Sequence, residues 1–155
     1  GRAADYVATV IKTYREAIDS YYEGTFTKEK INTWMEALAT VYNRGFWSGY
    51  YLGQKLGEWS DNPGSNATQK KVYVGKGMHY FPKSNIAEFK IEAYDIKKGD
   101  KILITGPSTG AQELILEDFF VNDATSEKAT KGDSCTLKVP FRIRLSDKMY
   151  KIVEN

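Results

Sequence analysis

The sequence predicts an α+β protein, with an N-terminal αα-hairpin followed by a small antiparallel β-barrel. Apolar residues recur at steps of three and four through the first 42 positions, which is the spacing of helices. From residue 70 onward the apolar period changes to two, which is typical of strands. The phrase Lys-Gly-Asp occurs at 98–100 and at 131–133, each time just before an apolar run. Gly and Asp are turn residues, so this phrase predicts a repeated turn that delivers a strand.

The helical spacing predicts a first helix over residues 5–22 and a second one that begins at Thr27. Gly24 is expected to end the first helix, and the Thr27 hydroxyl is expected to cap the second. A short joint between them makes an αα-hairpin. The predicted apolar face of the first helix consists of Val7, Val10, Ile11, Tyr14, Ile18 and Tyr21. That of the second consists of Ile31, Trp34, Met35, Leu38, Val41 and Tyr42.

An aromatic and glycine-rich segment, 46–53, follows the hairpin. One interpretation is an aromatic platform for a base or sugar ring, with Phe46, Trp47 and Tyr50 as its binding residues. The alternative is a buried plug, which we favour because aromatic side chains mostly serve burial. The composition of residues 57–69 predicts a linker. The expected organisation is therefore a hairpin with the aromatic segment at 1–56, a linker at 57–69 and the β-barrel at 70–155.

Six strands are expected in the barrel because the alternating runs are separated by turn residues. Residues 101–105 have three adjacent apolar positions, which predicts a strand covered on both faces. The run 112–121 has a mixed pattern and is expected to be bent or interrupted. The six predicted strands are 71–75, 87–93, 101–105, 112–121, 135–145 and 148–153.

The composition excludes several classes of protein. The 22 basic and 20 acidic residues give a net charge of +2, which permits contact with nucleic acid but is far from the charge of strongly basic domains. A single cysteine excludes an internal disulfide and fits a cytoplasmic location. No apolar run approaches the length of a membrane-spanning helix, so no membrane partner is expected.

The sequence predicts no catalytic residue, metal site or cofactor. His79 is the one histidine, and no nucleophile-elbow sequence accompanies it. One histidine and one cysteine are too few for a zinc site. Cys135 lies at an apolar position of its predicted strand, which favours a small buried hydrophobic side chain over a reactive thiol.

Four basic residues near the C-terminus are the main candidates for binding. Lys138, Arg142 and Arg144 share one parity, so on a regular strand they would project from the same outward face, and Lys148 follows nearby. One interpretation is a set of phosphate contacts on an RNA-binding barrel. The alternative is a solvated exterior that is charged for solubility.

Several motifs resemble the C-terminal region of peptidase family U32, the collagenase-like proteases. They are Gly1-Arg2, the helix motif Tyr14-Arg15-Glu16-Ala17-Ile18-Asp19, Arg44-Gly45-Phe46 and Gly49-Tyr50. The later half, from Val74-Gly75 through both Gly-Asp turns to residues 147–151, is similar to the second domain of elongation factors of the Tu type.

The resemblance implies an accessory role. Members of that family are classed as peptidases, and some act in RNA hydroxylation, on tRNA or ribosomal RNA, or in ubiquinone synthesis. Their chemistry is carried by an N-terminal barrel, and none of its catalytic residues has a counterpart here. The expectation is a non-catalytic module that helps to bind an RNA or protein substrate for an upstream catalytic domain of the same parent chain. The alternative is a purely structural or dimerisation module.

Overall fold

The computed structural model describes residues 1–49, 53 and 64–155, which fall into two compact units. One unit comprises Gly1–Lys70 together with Asn155, and the other comprises Lys71–Glu154. We call them the helical unit and the sheet unit. Most of the predicted linker and most of the aromatic segment beyond Gly49 lie outside the described residues.

The helical unit contains the predicted αα-hairpin, formed by α1 (Ala4–Tyr22) and α2 (Lys28–Ala39). Gly24 follows α1 with a φ of +69°, the left-handed conformation in which helices often end. Thr27 is the N-cap of α2, and its hydroxyl oxygen accepts a 3.3 Å hydrogen bond from the backbone N–H of Lys30. The predicted end of the first helix and the predicted start of the second are therefore confirmed. The predicted apolar face of the second helix extends to Tyr42, but α2 ends at Ala39.

The apolar face predicted for α1 is present, but all of it except the half-buried Val10 is exposed. The residues of α1 that are buried are instead two hydroxyl side chains, Thr13 and Ser20. In α2 no residue is buried. The exposed apolar residues of α1 are Val7, Ile11, Tyr14, Ile18, Tyr21 and Tyr22.

The sheet unit is built from short strands whose pairings are antiparallel. Eight strands form one sheet in the order β5-β4-β10-β1-β2-β9-β6-β7, and β3 pairs with β8. The strands are β1 (Gln69–Phe81), β2 (Ile86–Ile91), β3 (Ile96–Lys97), β4 (Lys101–Gly106), β5 (Gly110–Ile115), β6 (Phe119–Val121), β7 (Ala124–Ser126), β8 (Lys128–Ala129), β9 (Ser134–Lys138) and β10 (Lys148–Glu154).

Two helices followed by an antiparallel sheet confirm the predicted α+β class. The outer strands β5 and β7 do not pair with each other in the described part of the chain, so the sheet is not closed and the word barrel applies only loosely. The structure has more strands than the six predicted. The run 112–121 is divided between β5 and β6, and β3, β7 and β8 are too short to show a period in the sequence.

The hydrophobic core lies in the sheet unit. Three consecutive residues of β4, Ile102–Ile104, are buried, which confirms a strand that is covered on both faces. Strands β2 and β9 instead bury alternate residues, as half-buried strands do. The largest fully buried side chains are Phe89, Phe119, Ile91, Ile96, Ile102, Leu103, Ile104, Leu116, Ile143, Met149, Val74 and Val139.

Both predicted Gly-Asp turns are present and have the same geometry. In the first, the Asp100 carboxylate accepts a 2.8 Å hydrogen bond from the N–H of Lys97, while the N–H of Asp100 donates to the Lys97 carbonyl at 3.1 Å. In the second, Asp133 makes the same two bonds with Thr130, at 2.7 and 3.0 Å. The glycine before each aspartate has a φ of +90° or +100°, which only glycine adopts readily.

A third turn of this kind occurs at 144–147, where the sequence gives no Gly-Asp signal. The Asp147 carboxylate accepts a 2.8 Å bond from the N–H of Arg144, and the N–H of Asp147 donates to the Arg144 carbonyl at 3.1 Å. Here the preceding residue is Ser146, with a φ of +68°. The three turns therefore share one hydrogen bond, which the aspartate carboxylate accepts from the backbone N–H three residues earlier. The residue before the aspartate need not be glycine.

The predicted strand 135–145 is wrong over its second half, because β9 ends at Lys138. Pro140 has no N–H to donate to a ladder and is rarely found inside a sheet, which explains why pairing stops there. Alternation of burial nevertheless continues beyond the strand: Val139 and Ile143 are buried, whereas Arg142 and Arg144 are exposed.

Candidate functional site

The four basic candidates lie along the connection between two strands of the sheet unit. We call Lys138, Arg142, Arg144 and Lys148 the basic strip. Lys138 is the last residue of β9, Lys148 is the first residue of β10, and the two arginines belong to the segment between them. All four are exposed. The structure thus places them on one continuous stretch, although not on the single regular strand that the sequence predicted.

Backbone hydrogen bonds to β1 hold the C-terminal part of the strip in place. The N–H of Gly77 donates to the Asp147 carbonyl at 2.7 Å, and the N–H of Ser146 donates to the Gly77 carbonyl at 2.9 Å. A Cβ at position 77 would lie 2.8 Å from Cδ1 of Ile143 and 2.9 Å from the Arg144 carbonyl oxygen. Only glycine therefore allows this close approach of the strip to β1.

The basic strip differs from five lysines of the sheet unit in its electrostatic partners, and within the described residues it shares the lack of a salt bridge with Lys83, Lys97 and Lys131. Most of the paired lysines reach a carboxylate across a strand pair or a turn. No salt bridge involves a residue of the basic strip in the part of the chain that the structure describes. The paired lysines are Lys76 with Glu92 at 2.9 Å, Lys98 with Asp118 at 2.6 Å, Lys101 with Glu113 at 2.8 Å, Lys128 with Asp95 at 2.7 Å and Lys151 with Asp100 at 2.8 Å.

The pairing has electrostatic consequences at the lysines that have partners. Lys98 donates a hydrogen bond to Asp118, and this carboxylate raises the pKa of the Lys98 ammonium group. Lys128 likewise donates to Asp95 and lowers the pKa of that carboxyl group. The charge of such lysines is already neutralised locally. The basic strip is therefore the better candidate for an external anion.

The aromatic candidates belong to the helical unit. Phe46 and Trp47 each expose 48% of their surface, so neither is the buried plug that we favoured, and Tyr50 lies outside the described residues. Half-exposed aromatic rings have faces that could stack on a ligand. The basic strip belongs to the other unit.

Neither residue considered for chemistry has the environment of a catalytic group. The ring of His79 is exposed and packs edge-on against Phe81, with 4.4 Å between ring centroids. Cys135 is fully buried, and this desolvation raises the pKa of its thiol to about 12, so it stays protonated at neutral pH. In the described ranges no group of three His, Cys, Asp or Glu side chains could hold a metal ion.

One polar cluster was missed by the sequence reasoning. The hydroxyl of Tyr73 donates a 2.6 Å hydrogen bond to Glu92, which also pairs with Lys76. The Tyr73 ring packs edge-on against Tyr150 at 5.7 Å. Tyr73 and Glu92 are 19 positions apart in sequence, and only the antiparallel pairing of β1 with β2 brings them together. The alternation within each strand carries no signal of that contact.

Comparison with known proteins shows which proteins the chain resembles. The model of peptidase family U32 matches residues 1–61. Over 97% of its length the chain is 50% identical to a protein named collagenase from Porphyromonas gingivalis. Residues 1–61 therefore match peptidase family U32, and the chain as a whole is similar to a part of these longer proteins. This confirms the resemblance that the helix motif indicated.

The relatives are much longer than this chain. It spans 36% of the length of the Porphyromonas collagenase, so it corresponds to a part of such a protein. It is also 33% identical, over 99% of its length, to a protein from Methanocaldococcus jannaschii described as an uncharacterized protease, of which it spans 39%. The names collagenase and protease describe those whole proteins.

A solved structure is also similar to part of the chain. It is the C-terminal domain of a Geobacillus thermoleovorans protein assigned to the U32 peptidases, with a TM-score of 0.48 and 19% sequence identity. The similarity covers 50% of this chain and 96% of that one.

Within the described residues, no helix is long and apolar enough to cross a membrane.

Proposed function

We propose that this U32 chain is a non-catalytic accessory module at the C-terminal end of a longer U32 protein. Its role is to hold an RNA substrate, such as a tRNA, for a catalytic domain that precedes it in the parent chain. The observation that carries the proposal is the basic strip: four exposed cations on one connected stretch, none of them in a salt bridge with a described residue.

Physical reasoning supports an anionic partner of extended shape. Unpaired lysine and arginine side chains at a surface bind phosphates by releasing condensed counterions, and this requires no enclosed pocket. Arg142 and Arg144 are exposed on either side of the buried Ile143, so both guanidinium groups are open to solvent. Successive phosphates of a nucleic acid present the matching row of charges. The half-exposed rings of Phe46 and Trp47 supply candidate surfaces for base stacking.

Fluorescence anisotropy with bulk tRNA across a salt series tests the proposal. We expect binding at about 50 mM salt that weakens steeply by about 200 mM. The double substitution R142A/R144A should weaken binding and reduce the salt slope by roughly 1–2, as expected when two phosphate contacts are lost.

The matched control is K98A/K101A, which removes the same charge from lysines that are already paired with Asp118 and Glu113. This control should bind as the unmodified chain does. Equal losses in both variants would show a response to net charge alone, and the absence of binding at low salt would contradict the RNA proposal. Circular dichroism of each variant establishes that the fold is retained.

A structural role is the second candidate, and a separate observation favours it. The apolar residues of α1 are exposed, although such a face is normally buried. A module that serves as a support for its parent protein would need such a surface.

A further inference from the structure

Helix α1 carries a continuous apolar surface, which we call the apolar stripe. Its members are separated by four, three, four and three positions, so they stack along one side of the helix. This is the spacing that helices use when they pack lengthwise against another element. The stripe consists of Val7, Ile11, Tyr14, Ile18 and Tyr21, with exposed fractions of 41%, 63%, 61%, 47% and 70%.

The fully buried positions of α1 are polar, whereas Val10 and Ala17 on the same side of this helix are only half-buried. Thr13 and Ser20 are its buried residues, at 6% and 4% exposure. The Ser20 hydroxyl lies 3.0 Å from that of Thr25, and the Lys30 ammonium group donates to both hydroxyls, at 3.1 and 2.8 Å. This hydroxyl cluster links the two helices, and the apolar stripe takes no part in it.

The helical hairpin has few buried apolar side chains to stabilise it by itself. The buried apolar side chains of the described residues all belong to the sheet unit, between Val74 and Met149. Helices of this length gain most of their stability from burial of an apolar face. The described part of the helical unit therefore has no fully buried apolar side chain, and covering the apolar stripe would add apolar burial.

The size of a possible interface distinguishes two occupants of the apolar stripe. Five half-exposed side chains offer on the order of 500 Å² per copy, so two copies of the stripe would bury roughly 1,000 Å². Stable complexes between separate proteins bury about 1,200–2,000 Å². A contact within one chain requires less, because the effective concentration of tethered partners is of millimolar order.

The relatives supply such a tethered partner. More than half the length of the Porphyromonas and Methanocaldococcus proteins lies outside the region that matches this chain. The family model matches residues 1–61, which contain the entire hairpin, and its match does not extend over the sheet unit. The hairpin is therefore the portion that the family model describes, although the longer relatives match 97% and 99% of the chain.

We propose that the apolar stripe docks onto an apolar surface of the remaining part of the parent U32 protein and joins the accessory module to it. This inference depends on the proposed function only in requiring a parent protein with a further domain. It does not depend on RNA binding.

Hydrogen exchange of the α1 peptide, residues 4–22, tests the docking. The rate is compared between the 155-residue chain and the full-length parent protein. We expect exchange at least tenfold slower in the parent, while the peptide of β4 exchanges at similar rates in both. Equal rates for α1 in two monomeric samples would overturn the proposal. Slow exchange in both, together with a dimeric 155-residue chain in sedimentation, would assign the stripe to a second copy and overturn it as well.

Charge substitutions within the stripe make the test specific. In the parent protein, the double substitution Ile11→Lys and Ile18→Lys should restore fast exchange in α1. The matched control is Glu16→Lys, which changes charge on the opposite side of the same helix and should leave exchange slow. If the stripe variant exchanged as slowly as the control, docking through the stripe would be excluded. Neither variant removes a residue of the basic strip, so neither should lose tRNA binding, and failure of this proposal is distinguishable from failure of the RNA proposal.

Discussion

The hydroxyl of Thr109 donates a 2.5 Å hydrogen bond to Oδ2 of Asp147, across 38 positions of sequence. The same carboxylate oxygen accepts the 2.8 Å bond from the N–H of Arg144. Asp147 is 3% exposed, and a Cβ at Gly106 would lie 1.8 Å from its Oδ1. One buried carboxylate therefore ties the β4–β5 turn to the segment that carries the basic strip.

Replacing Asp147 by alanine should lower the free energy of unfolding of the sheet unit by about 2–3 kcal/mol. The reason is that two donors, the Thr109 hydroxyl and the Arg144 N–H, lose their shared acceptor at a buried position. Chemical denaturation followed by circular dichroism measures the change. The control is Asp133→Ala, which removes the same turn bond from a more exposed aspartate and should cost about 1 kcal/mol. Equal costs would show that burial of Asp147 adds nothing.

The three turns show how far the sequence determines this fold. Two of them could be predicted because glycine before aspartate is a recognisable turn signal. The third could not, since Ser146 adopts the same backbone conformation without a glycine and is held there by the contacts of Asp147. Strand periods likewise predicted β1, β2 and β4. They did not predict where β9 ends, because the pattern of burial continues past Pro140 after the pairing has stopped.

An exchange of residues between two turns tests whether the aspartate or the glycine determines the turn. Ser146→Gly should raise the free energy of unfolding by up to about 1 kcal/mol, because a φ of +68° is strained for serine. Gly132→Ser should lower it by about 1 kcal/mol, for the same reason at a φ of +100°. Thermal unfolding of both variants measures the two shifts, which should have opposite signs. Shifts of the same sign would contradict this account of the turns.

The residues of the candidate site could be predicted from the sequence, whereas their salt-bridge partners could not. Parity in the sequence identified Lys138, Arg142 and Arg144, and the structure keeps all three exposed. Whether a lysine has a carboxylate partner depends on strand register, which periodicity does not supply. The sequence also could not predict that the apolar stripe is exposed. An apolar face at helical spacing indicates that the face is normally buried, but it does not identify the surface that covers it.

Gly75→Ala should lower the free energy of unfolding of the sheet unit by about 3 kcal/mol or more. A Cβ at Gly75 would lie 1.9 Å from the Lys90 carbonyl oxygen, and this atom belongs to the backbone of β2 and cannot rotate away. Gly64→Ala is the control, since a Cβ there meets nothing within 4 Å. Urea unfolding should separate the two variants clearly. A Gly75 variant as stable as the control would mean that β1 and β2 are further apart than the structure shows.

Tyr73 should titrate later than an ordinary tyrosine. Burial, and then the hydrogen bond to the Glu92 carboxylate, raise its pKa from 10.0 to about 12. The difference in absorbance at alkaline pH between the unmodified chain and Tyr73→Phe isolates this one group among the 11 tyrosines. Glu92→Gln should lower the pKa of Tyr73 only in part, because burial is the larger cause.

The raised pKa of Tyr73 also fixes the sign of a stability change with pH. The unfolded chain loses the Tyr73 proton first as pH rises, so the contribution of this group is fully present below pH 10.0 and is lost as pH rises toward 12. Between these values the stability of the unmodified chain should fall more steeply with pH than that of Tyr73→Phe, as measured by urea unfolding at a series of alkaline pH values. Parallel pH profiles for the two proteins would show that Tyr73 ionises equally easily in both states, and the bond to Glu92 would then have no bearing on stability.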